Sequence, residues 1–262
     1  MPDALPQQIR QQLDDPFAEL AGPLAGTRKL HFEVVESSEL TPSMRQVTLT
    51  APELAGFSYA PGQDVMVLVA AEGNRPVRRR YTIRHLDTEN LTLTLNIVLH
   101  GQGPGERWLR AAAPGDTIEG IGPRGKITPS ASADWHLFMG DESALPAILR
   151  MTESLPENAK ATVVIEVSGP EDEQPIFAGA VTRDSWLHRL GRPAGDHELL
   201  AAEARDVELA PGVGQAYLFG EATVVLKLRE ILESRGMRPD QMSPKAYWGK
   251  GRANAGHGEP PR

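Results

Sequence analysis

The feature that most constrains the fold is a change near residues 126–134 in the pattern of apolar runs and turn residues. Before it, short apolar or β-branched runs such as Met44–Thr50 are separated by turn signals such as Ala60-Pro61-Gly62. After it, continuous apolar runs such as Ala161–Val167 alternate with helical patterns. Short strands joined by tight turns are typical of an antiparallel barrel. Alternating buried strands and helices are typical of a doubly wound parallel sheet. The sequence therefore predicts a β-barrel domain followed by an α/β domain.

The same signals set the predicted boundaries. Residues 1–27 form an N-terminal arm or helix, residues 28–130 the barrel, and residues 131–262 the α/β domain with a basic C-terminal tail. We predict barrel strands at 31–35, 44–50, 64–70, 79–85, 91–99 and 117–122, with a short helix near 105–113. In the second domain we predict strands at 135–139, 161–167 and 215–219 and helices at 144–154 and 222–235. Residues 171–214 give no readable pattern.

Composition narrows the function. The chain of 262 residues has no cysteine, which excludes disulfides, thiolate metal sites, iron–sulfur clusters and cysteine nucleophiles. A net charge of −8 argues against a dedicated nucleic-acid binder. No apolar run is long enough to span a membrane, and Met1–Leu20 lacks the apolar core of a secretory signal. We therefore expect a cytoplasmic protein without membrane insertion, and a monomer as the default.

A run of arginines marks the first candidate site. Arg78–Arg84 contains four arginines, a tyrosine and a threonine, a mixture suited to a ligand with both phosphate and a flat ring. The alternative is a solvated face of a strand. Downstream, Gly103-Pro104-Gly105 lies between a predicted strand and a predicted helix, where the first N–H groups of the helix bind phosphate well. An ordinary Gly/Pro turn is the alternative there, and Glu106 in the first turn favours it.

These residues carry a resemblance to a known family. Arg79-Arg80-Tyr81-Thr82 resembles the flavin motif of the ferredoxin–NADP reductase superfamily. A longer series resembles the siderophore-interacting proteins, cytoplasmic FAD-dependent ferric-siderophore reductases. Its motifs are Tyr81–Arg84, Val98-Leu99-His100-Gly101, Gly103-Pro104 with Trp108, Gly122-Pro123-Arg124-Gly125, Gly140–Ala147 and Tyr247–Arg252. They occur in the family's order from about Arg28 to Asn254. The resemblance thus makes the barrel an FAD-binding domain and the α/β domain an NAD(P)H-binding-like domain.

The resemblance implies roles for individual barrel residues. Arg79 would pair with the FAD pyrophosphate, Tyr81 would pack on the isoalloxazine ring, and Thr82 would lie near flavin N5. Ile83 belongs to the same motif, Arg84 and His100 would line the FAD, and Gly103, Pro104 and Gly105 would hold its phosphates. If Arg79–His85 is one strand, side-chain alternation puts Arg79 and Tyr81 on one face. Arg78 and Arg80 are then expected to point outward.

The resemblance also implies a nucleotide site in the second domain. Asp141, Glu142, Ser143 and Ala144 would contact NADPH or NADH at a strand end, and Glu221 would face the nicotinamide. Because carboxylates repel phosphate, we expect contact there through ribose or backbone N–H groups. Arg183, Arg189 and Arg192 are candidates for binding a 2′-phosphate, and they favour NADPH.

The iron substrate is expected at basic residues. Residues 226–262 hold eight lysines and arginines against four acidic residues. Lys245, Lys250 and Arg252, with Arg124, would bind an anionic ferric siderophore; a tail that serves solubility is the alternative. We predict no metal site of the protein's own and no catalytic side chain, since flavin chemistry requires neither acid nor nucleophile. Two other functions remain open: a reductase that takes electrons from a ferredoxin partner, and a siderophore-binding protein without turnover.

Overall fold

The computed structural model describes residues 26–72, 75–99, 101 and 103–251. Contacts divide the chain after Lys126 into two units, and each is described by itself below; the predicted boundary lay after residue 130. Of the predicted N-terminal arm, residues 1–25 lie outside the described residues. Among the described helices, none has the length and apolarity to cross a membrane.

The first unit is a seven-stranded antiparallel sheet with the strand order β4-β3-β7-β1-β2-β6-β5. Its elements are β1 (Arg28–Thr41), β2 (Met44–Thr50), β3 (Asp64–Glu72), β4 (Arg75–Thr82), β5 (His85–Asp87), β6 (Thr92–Val98), α1 (Pro104–Ala111) and β7 (Thr117–Arg124). A short 3-10 helix, Pro52–Leu54, follows β2.

Alternating apolar residues explain why this sheet forms. In β1, Leu30, Phe32 and Val34 are buried while the residues between them are exposed. In β6, Leu93 and Leu95 point into the same core. Because side chains alternate along a strand, this period of two gives the sheet one apolar face. The barrel-type prediction is confirmed.

The strand predicted at residues 79–85 is wrong in one respect. β4 ends at Thr82, and β5 begins only at His85. Between them, the N–H of Ile83 donates to the carbonyl of Gln63 (3.0 Å), while the N–H of Arg84 donates to the carbonyl of Thr94 (2.9 Å) on β6. The chain thus leaves β3 for β6 at this point, and regular alternation does not continue past Thr82.

The second unit is a five-stranded parallel sheet with the order β10-β9-β8-β11-β12. Its elements are β8 (Trp135–Asp141), α2 (Leu145–Glu153), β9 (Ala161–Val167), β10 (Val181–His188), α3 (Glu198–Asp206), β11 (Gly214–Glu221), α4 (Ala222–Ser234) and β12 (Met242–Trp248). Every residue of β8 is buried, as expected for a central strand covered on both faces. The doubly wound prediction is confirmed.

Three elements were not predicted. β10 and α3 lie in the segment that gave no readable pattern, and β12 lies in the segment that we expected to be a basic tail. β10 and β12 are the edge strands of the sheet, each with one neighbour. β12 contains Pro244, which an edge strand tolerates because one side of its backbone needs no partner strand.

Candidate functional site

The end of β4 and the start of α1 bring together the predicted flavin residues of the first unit. Arg79 and Tyr81 lie opposite Val67 and Val65 of β3. A Cβ atom placed on Gly105 would lie 2.9 Å from the Tyr81 hydroxyl and 3.1 Å from Cγ of Arg79. The first turn of α1 therefore packs directly against these two side chains, so the two segments that the sequence singled out lie next to each other.

The N-terminus of α1 presents backbone N–H groups. Gly103 is its N-cap residue and has no side chain with which to cap the helix, and Pro104 follows as the first helical residue. The first intrahelical bond runs from the N–H of Arg107 to the carbonyl of Gly103 (3.0 Å). The N–H groups of Gly105 and Glu106 precede that bond, so they have no acceptor within the helix. This is a geometry that binds phosphate.

Glu106 does not oppose phosphate as the sequence suggested. Its Oε1 accepts from Nε (2.9 Å) and Nη2 (2.6 Å) of Arg110, one turn later, while its Oε2 is buried with no hydrogen-bond partner among the described residues. Because Arg110 compensates the carboxylate charge, the helix start keeps its positive character.

Tyr81 is a half-buried aromatic residue with an aromatic neighbour. Its ring stacks with that of Trp108, with the centroids 6.2 Å apart and the planes at 20°. Burial raises the pKa of Tyr81 above its usual value, although the charge of Arg79 opposes the rise. The phenol therefore stays neutral at physiological pH, as a ring that packs against a ligand requires.

Arg80 does not point outward, contrary to our expectation. Its guanidinium donates from Nε (2.8 Å) and Nη2 (2.6 Å) to both oxygens of Asp64, which is almost completely buried. Thr82 and Ile83 are buried as well, and the Ile83 side chain lies in the barrel core. Arg84 is half-buried. Arg80 is not exposed because β3 supplies a buried carboxylate beside it, a partner that the local sequence does not reveal.

Arg124 lies at the end of β7 beside this ion pair. Burial and the charge of Arg80 lower the pKa of Arg124, while Asp64 opposes the change. Within the described part of the chain, its Nε and Nη1 atoms are buried and have no hydrogen-bond partner. Since Asp64 is held by Arg80, Arg124 is a cation whose donors suit an anionic ligand.

In the second unit, the strand order reverses between β8 and β11, where doubly wound sheets bind ligands at the carboxyl ends of the strands. Asp141 lies at this point. Its Oδ2 accepts from the N–H of Glu221 (3.0 Å) and from Nε1 of Trp248 (2.9 Å), and its Oδ1 accepts from the N–H of Ser143 (2.9 Å). One carboxylate thus joins the ends of β8, β11 and β12.

Glu221 lies at the end of β11, across the reversal of strand order from Asp141. Its Oε2 accepts from the N–H groups of Thr223 (2.6 Å) and Val224 (3.0 Å) and so caps α4. Its Oε1 accepts from the N–H of Lys250 (3.0 Å). These hydrogen bonds lower the pKa of Glu221 despite burial, so it is ionised at neutral pH. Asp141 and Glu221 therefore hold together the carboxyl ends of β8, β11 and β12 and the start of α4.

Glu142 and Arg189 form a buried ion pair at the same sheet edge. Both nitrogens of the Arg189 fork donate to the carboxylate of Glu142, one of them at 2.6 Å, and Nη1 also lies 3.5 Å from Oε1 of Glu166. All three side chains are nearly inaccessible to solvent. Burial raises the pKa of Glu166 to about 7, and the charges of Asp141 and Glu142 add to the rise while Arg189 opposes it.

The predicted substrate cations have unlike surroundings. Lys245 is buried on β12, with its Nζ 5.1 Å from the ring centroid of Tyr247, whereas Lys250 is exposed. Arg252 and the predicted flavin residue His100 lie outside the described residues. No group of three or more His, Asp or Glu side chains in the described part of the chain is placed to hold a metal ion.

The sequence did not point to Asp64 or Glu166, although both shape these sites. Asp64 holds Arg80, and Glu166 lies beside the buried Glu142–Arg189 pair. Trp108, which stacks on Tyr81, was named only as a motif residue, and Arg189 was expected to bind a 2′-phosphate rather than a carboxylate. The contacts of Asp64, Glu166 and Arg189 depend on strand pairing and on chain reversal, which leave no local pattern.

The fold defines a class. An antiparallel barrel-type sheet and a doubly wound parallel sheet in this order are the architecture of ferredoxin-reductase-like proteins. Cytochrome P450 reductase GcoB of Amycolatopsis and a ferredoxin NADP+ reductase from Neisseria gonorrhoeae share this fold at 17% and 19% identity, with TM-scores of 0.67 and 0.65, a likeness that shows the fold alone.

Comparison with known proteins gives the family. The model of the siderophore-interacting protein family matches residues 133–251, and that of the siderophore-interacting FAD-binding domain matches residues 65–127. Ferric vibriobactin reductase ViuB of Vibrio cholerae is 30% identical over 84% of this chain and 89% of its own. An uncharacterized Mycobacterium tuberculosis protein is 37% identical over 86% and 92%. The crystal structure of a siderophore utilization protein from T. fusca has a TM-score of 0.78 and 31% identity, covering 88% of this chain and 97% of that one. The chain belongs to the siderophore-interacting protein family.

Proposed function

We propose that this protein is a cytoplasmic flavoprotein reductase that passes electrons from NAD(P)H through FAD to a ferric siderophore, so that iron is released as Fe(II). The observation that carries the proposal is the close contact of Gly105 with the side chains of Tyr81 and Arg79. An aromatic hydroxyl, a guanidinium and uncapped helical N–H groups meet there, as a ligand with a flat ring and a diphosphate requires.

The residues of the first unit fit FAD. Arg79 and the N–H groups of the α1 start would hold the diphosphate, with Gly103, Pro104 and Gly105 allowing close approach. Tyr81 would pack on the isoalloxazine ring, Thr82 would lie near its N5, and Arg84 and His100 would line the FAD. Ile83 would take part only through its backbone, because its side chain lies in the barrel core. When bound, FAD supplies the chemistry that no side chain can, since it accepts two electrons together and releases them singly.

The electron donor would bind in the second unit, at the carboxyl ends of β8 and β11. The contacts would come from residues at these strand ends, namely Asp141, Glu142, Ser143, Ala144 and Glu221. The carboxylates of Asp141 and Glu221 are engaged in hydrogen bonds within the protein. Their role would be to hold the strand ends in fixed positions, so that nearby backbone groups can contact the nucleotide.

The ferric siderophore would be held by cations. Arg124 is half-buried and Lys250 is exposed, so both side chains have accessible surface for the anionic oxygens of an iron chelate. Lys245 and Arg252 complete the proposed set. Iron is then substrate and product, because its reduced form binds the chelator more weakly and leaves.

The test is an anaerobic assay on the FAD-loaded protein. We expect NADH or NADPH to bleach the flavin absorbance, and a ferric siderophore to restore it while a ferrous-specific chromogenic chelator reports Fe(II). Arg124→Gln and Lys250→Gln should each raise the KM for the ferric siderophore about tenfold without slowing flavin reduction. Lys227→Gln, which breaks an exposed ion pair on α4, is the matched control and should change neither step.

Three outcomes contradict this proposal. Bleaching by reduced ferredoxin but by neither nicotinamide nucleotide would assign a different donor. A protein that binds ferric siderophore and never reduces it would be a binding protein. A chain that takes up no FAD would not be a flavoprotein.

A further inference from the structure

The residues that would distinguish NADH from NADPH lie at the carboxyl ends of β8, β9 and β10. In doubly wound dinucleotide sites an acidic residue near these strand ends accepts a hydrogen bond from the ribose 2′-hydroxyl, whereas an arginine accommodates a 2′-phosphate. This protein has both kinds of residue there: Glu142 follows β8, Glu166 lies near the end of β9, and Arg189 follows β10. The geometry decides which kind is available.

The Arg189 guanidinium is already ion-paired with carboxylates of the protein. It pairs with both oxygens of Glu142 and approaches Glu166, and the three side chains are each at least nine-tenths buried. The guanidinium therefore crosses the end of β9 to reach Glu142, which follows β8. Glu142 alone balances the charge of Arg189. Glu166, with a pKa raised to about 7, is partly ionised at neutral pH and adds further negative charge, and Asp141 precedes Glu142 in the sequence.

The other two candidate arginines also pair with acids: Arg183 lies near the start of β10, away from the carboxyl ends of the strands, and Arg192 follows the end of β10. Nη2 of Arg183 lies 3.0 Å from Oε1 of Glu203, and Nη1 of Arg192 lies 3.6 Å from Oε2 of Glu198. These pairs are exposed and weak, but they lower the local positive charge. The stretch that we expected to bind a 2′-phosphate thus offers no arginine without a carboxylate beside it.

We propose that the nucleotide site selects NADH over NADPH, and that Glu142 and Glu166 set this preference by holding Arg189. This inference rests on the proposed function, in which a nicotinamide nucleotide is the donor. A 2′-phosphate would have to take Arg189 from Glu142 and would leave the buried carboxylate of Glu142 without its cation, with Glu166 beside it, which is strongly unfavourable. A 2′-hydroxyl is neutral and demands no such exchange.

The first test measures binding to the FAD-loaded protein by isothermal titration calorimetry. The probes are adenosine 5′-monophosphate and adenosine 2′,5′-bisphosphate, which differ only by the 2′-phosphate. We expect the monophosphate to bind at least about tenfold more tightly. The kcat/KM for flavin reduction should favour NADH over NADPH by a similar factor.

Glu142→Gln tests the cause. It removes the charge that neutralises Arg189, so the preference for the monophosphate should fall by about tenfold or more. Glu166→Gln leaves the Glu142–Arg189 pair intact and should shift the ratio in the same direction by less, which keeps the proposal testable if the first variant fails to fold. Glu233→Gln, in an exposed ion pair of α4, is the matched control and should keep the wild-type ratio.

The outcomes separate the two proposals. A wild-type preference for the bisphosphate and NADPH would overturn this inference and leave the proposed function intact. Folded Glu142→Gln and Glu166→Gln proteins with the wild-type ratio would overturn the role of the two acids. Failure of both NADH and NADPH to reduce the flavin would overturn the donor in the proposed function, and this inference with it.

Discussion

Gly105 is the residue on which the barrel site depends most directly. It lies in the first turn of α1, and the Tyr81 hydroxyl and the Arg79 side chain occupy the space that a Cβ atom would need. Here the requirement for glycine comes from close approach rather than from backbone conformation, since Gly105 is helical. Both partners are proposed FAD contacts, so any added atom moves the cofactor site itself.

We predict that Gly105→Ala weakens FAD binding about tenfold and destabilises the apoprotein by about 1 to 3 kcal/mol. The alanine methyl would force Tyr81, Arg79 or the helix start to shift. Fluorescence titration with FAD and urea unfolding measure the two effects. Gly179→Ala is the matched control, because its Cβ would meet nothing within 4 Å. Equal FAD affinity in the Gly105 variant and the control would contradict the prediction.

At this scale the sequence revealed motif residues and concealed their partners. Arg79, Tyr81 and Gly105 were candidates from their chemistry and received their roles from the family resemblance, and in the fold they lie together. The pairing of Arg80 with Asp64 depends on the antiparallel register of β3 and β4, in which neighbours are far apart in sequence. The pairing of Arg189 with Glu142 and Glu166 likewise depends on the ends of three strands lying side by side, so no local pattern could predict it.

Among the elements, α4 shows how the second site is built. Its apolar residues, such as Leu228 and Leu232, pack into the core at helical spacing, and its N-terminus is capped by the Glu221 carboxylate at the end of β11. The cap residue therefore serves both the helix and the crevice, and the stability of one element sets the geometry of the other.

We predict that Glu221→Gln lowers the free energy of unfolding by about 1 to 2 kcal/mol at neutral pH, because an amide caps a helix N-terminus less well than a carboxylate. The folded-state pKa of Glu221 lies below its usual value. Its stabilisation is therefore complete above the unfolded pKa and is lost as the pH falls through the folded pKa. Urea unfolding from neutral pH to about pH 3 should show the difference between variant and wild type shrinking.

Glu230→Gln provides the comparison for that experiment. Glu230 is on the same helix, is mostly exposed and pairs with Lys227 at 3.1 Å. Its loss should change the unfolding free energy by less than about 0.5 kcal/mol. A Glu221 variant as stable as the Glu230 variant would show that the cap is not important.

Central strands were predictable and edge strands were not. β8 and β9 are continuous apolar runs because both of their faces are covered. β10 has half-exposed and exposed residues along its length, and β12 carries a proline and a lysine, so neither has the apolar signature of a strand. Their places in the sheet come from pairing with β9 and β11, which the tertiary fold supplies.

The whole molecule combines two sheets of different kinds in one chain, and this much followed from sequence texture alone. The oligomeric state did not. In the described residues, the large exposed apolar side chains are dispersed along the chain, at Val35, Leu40, Phe177, Leu190, Val213 and Leu226. Single exposed apolar residues are normal on a monomer surface.

We predict that the FAD-loaded protein is a monomer, with a protein mass of 28.5 kDa from light scattering coupled to size exclusion. The net charge of −8 adds mutual repulsion between copies. The measurement should give the same mass at low and at high salt. A dimer mass at any dilution within the assay range would contradict the prediction.

The contact between Asp141 and Gly220 also bears on how such a chain can vary in evolution. Gly220 has a φ of +131°, and a Cβ there would lie 2.6 Å from Oδ2 of Asp141, the oxygen that also accepts from Trp248. A side chain at position 220 would therefore displace the Asp141 carboxylate and break its hydrogen bond to Trp248. Because residues 141, 220 and 248 contact one another, substitutions at these positions should be epistatic, with a change at one tolerated only together with changes at the others.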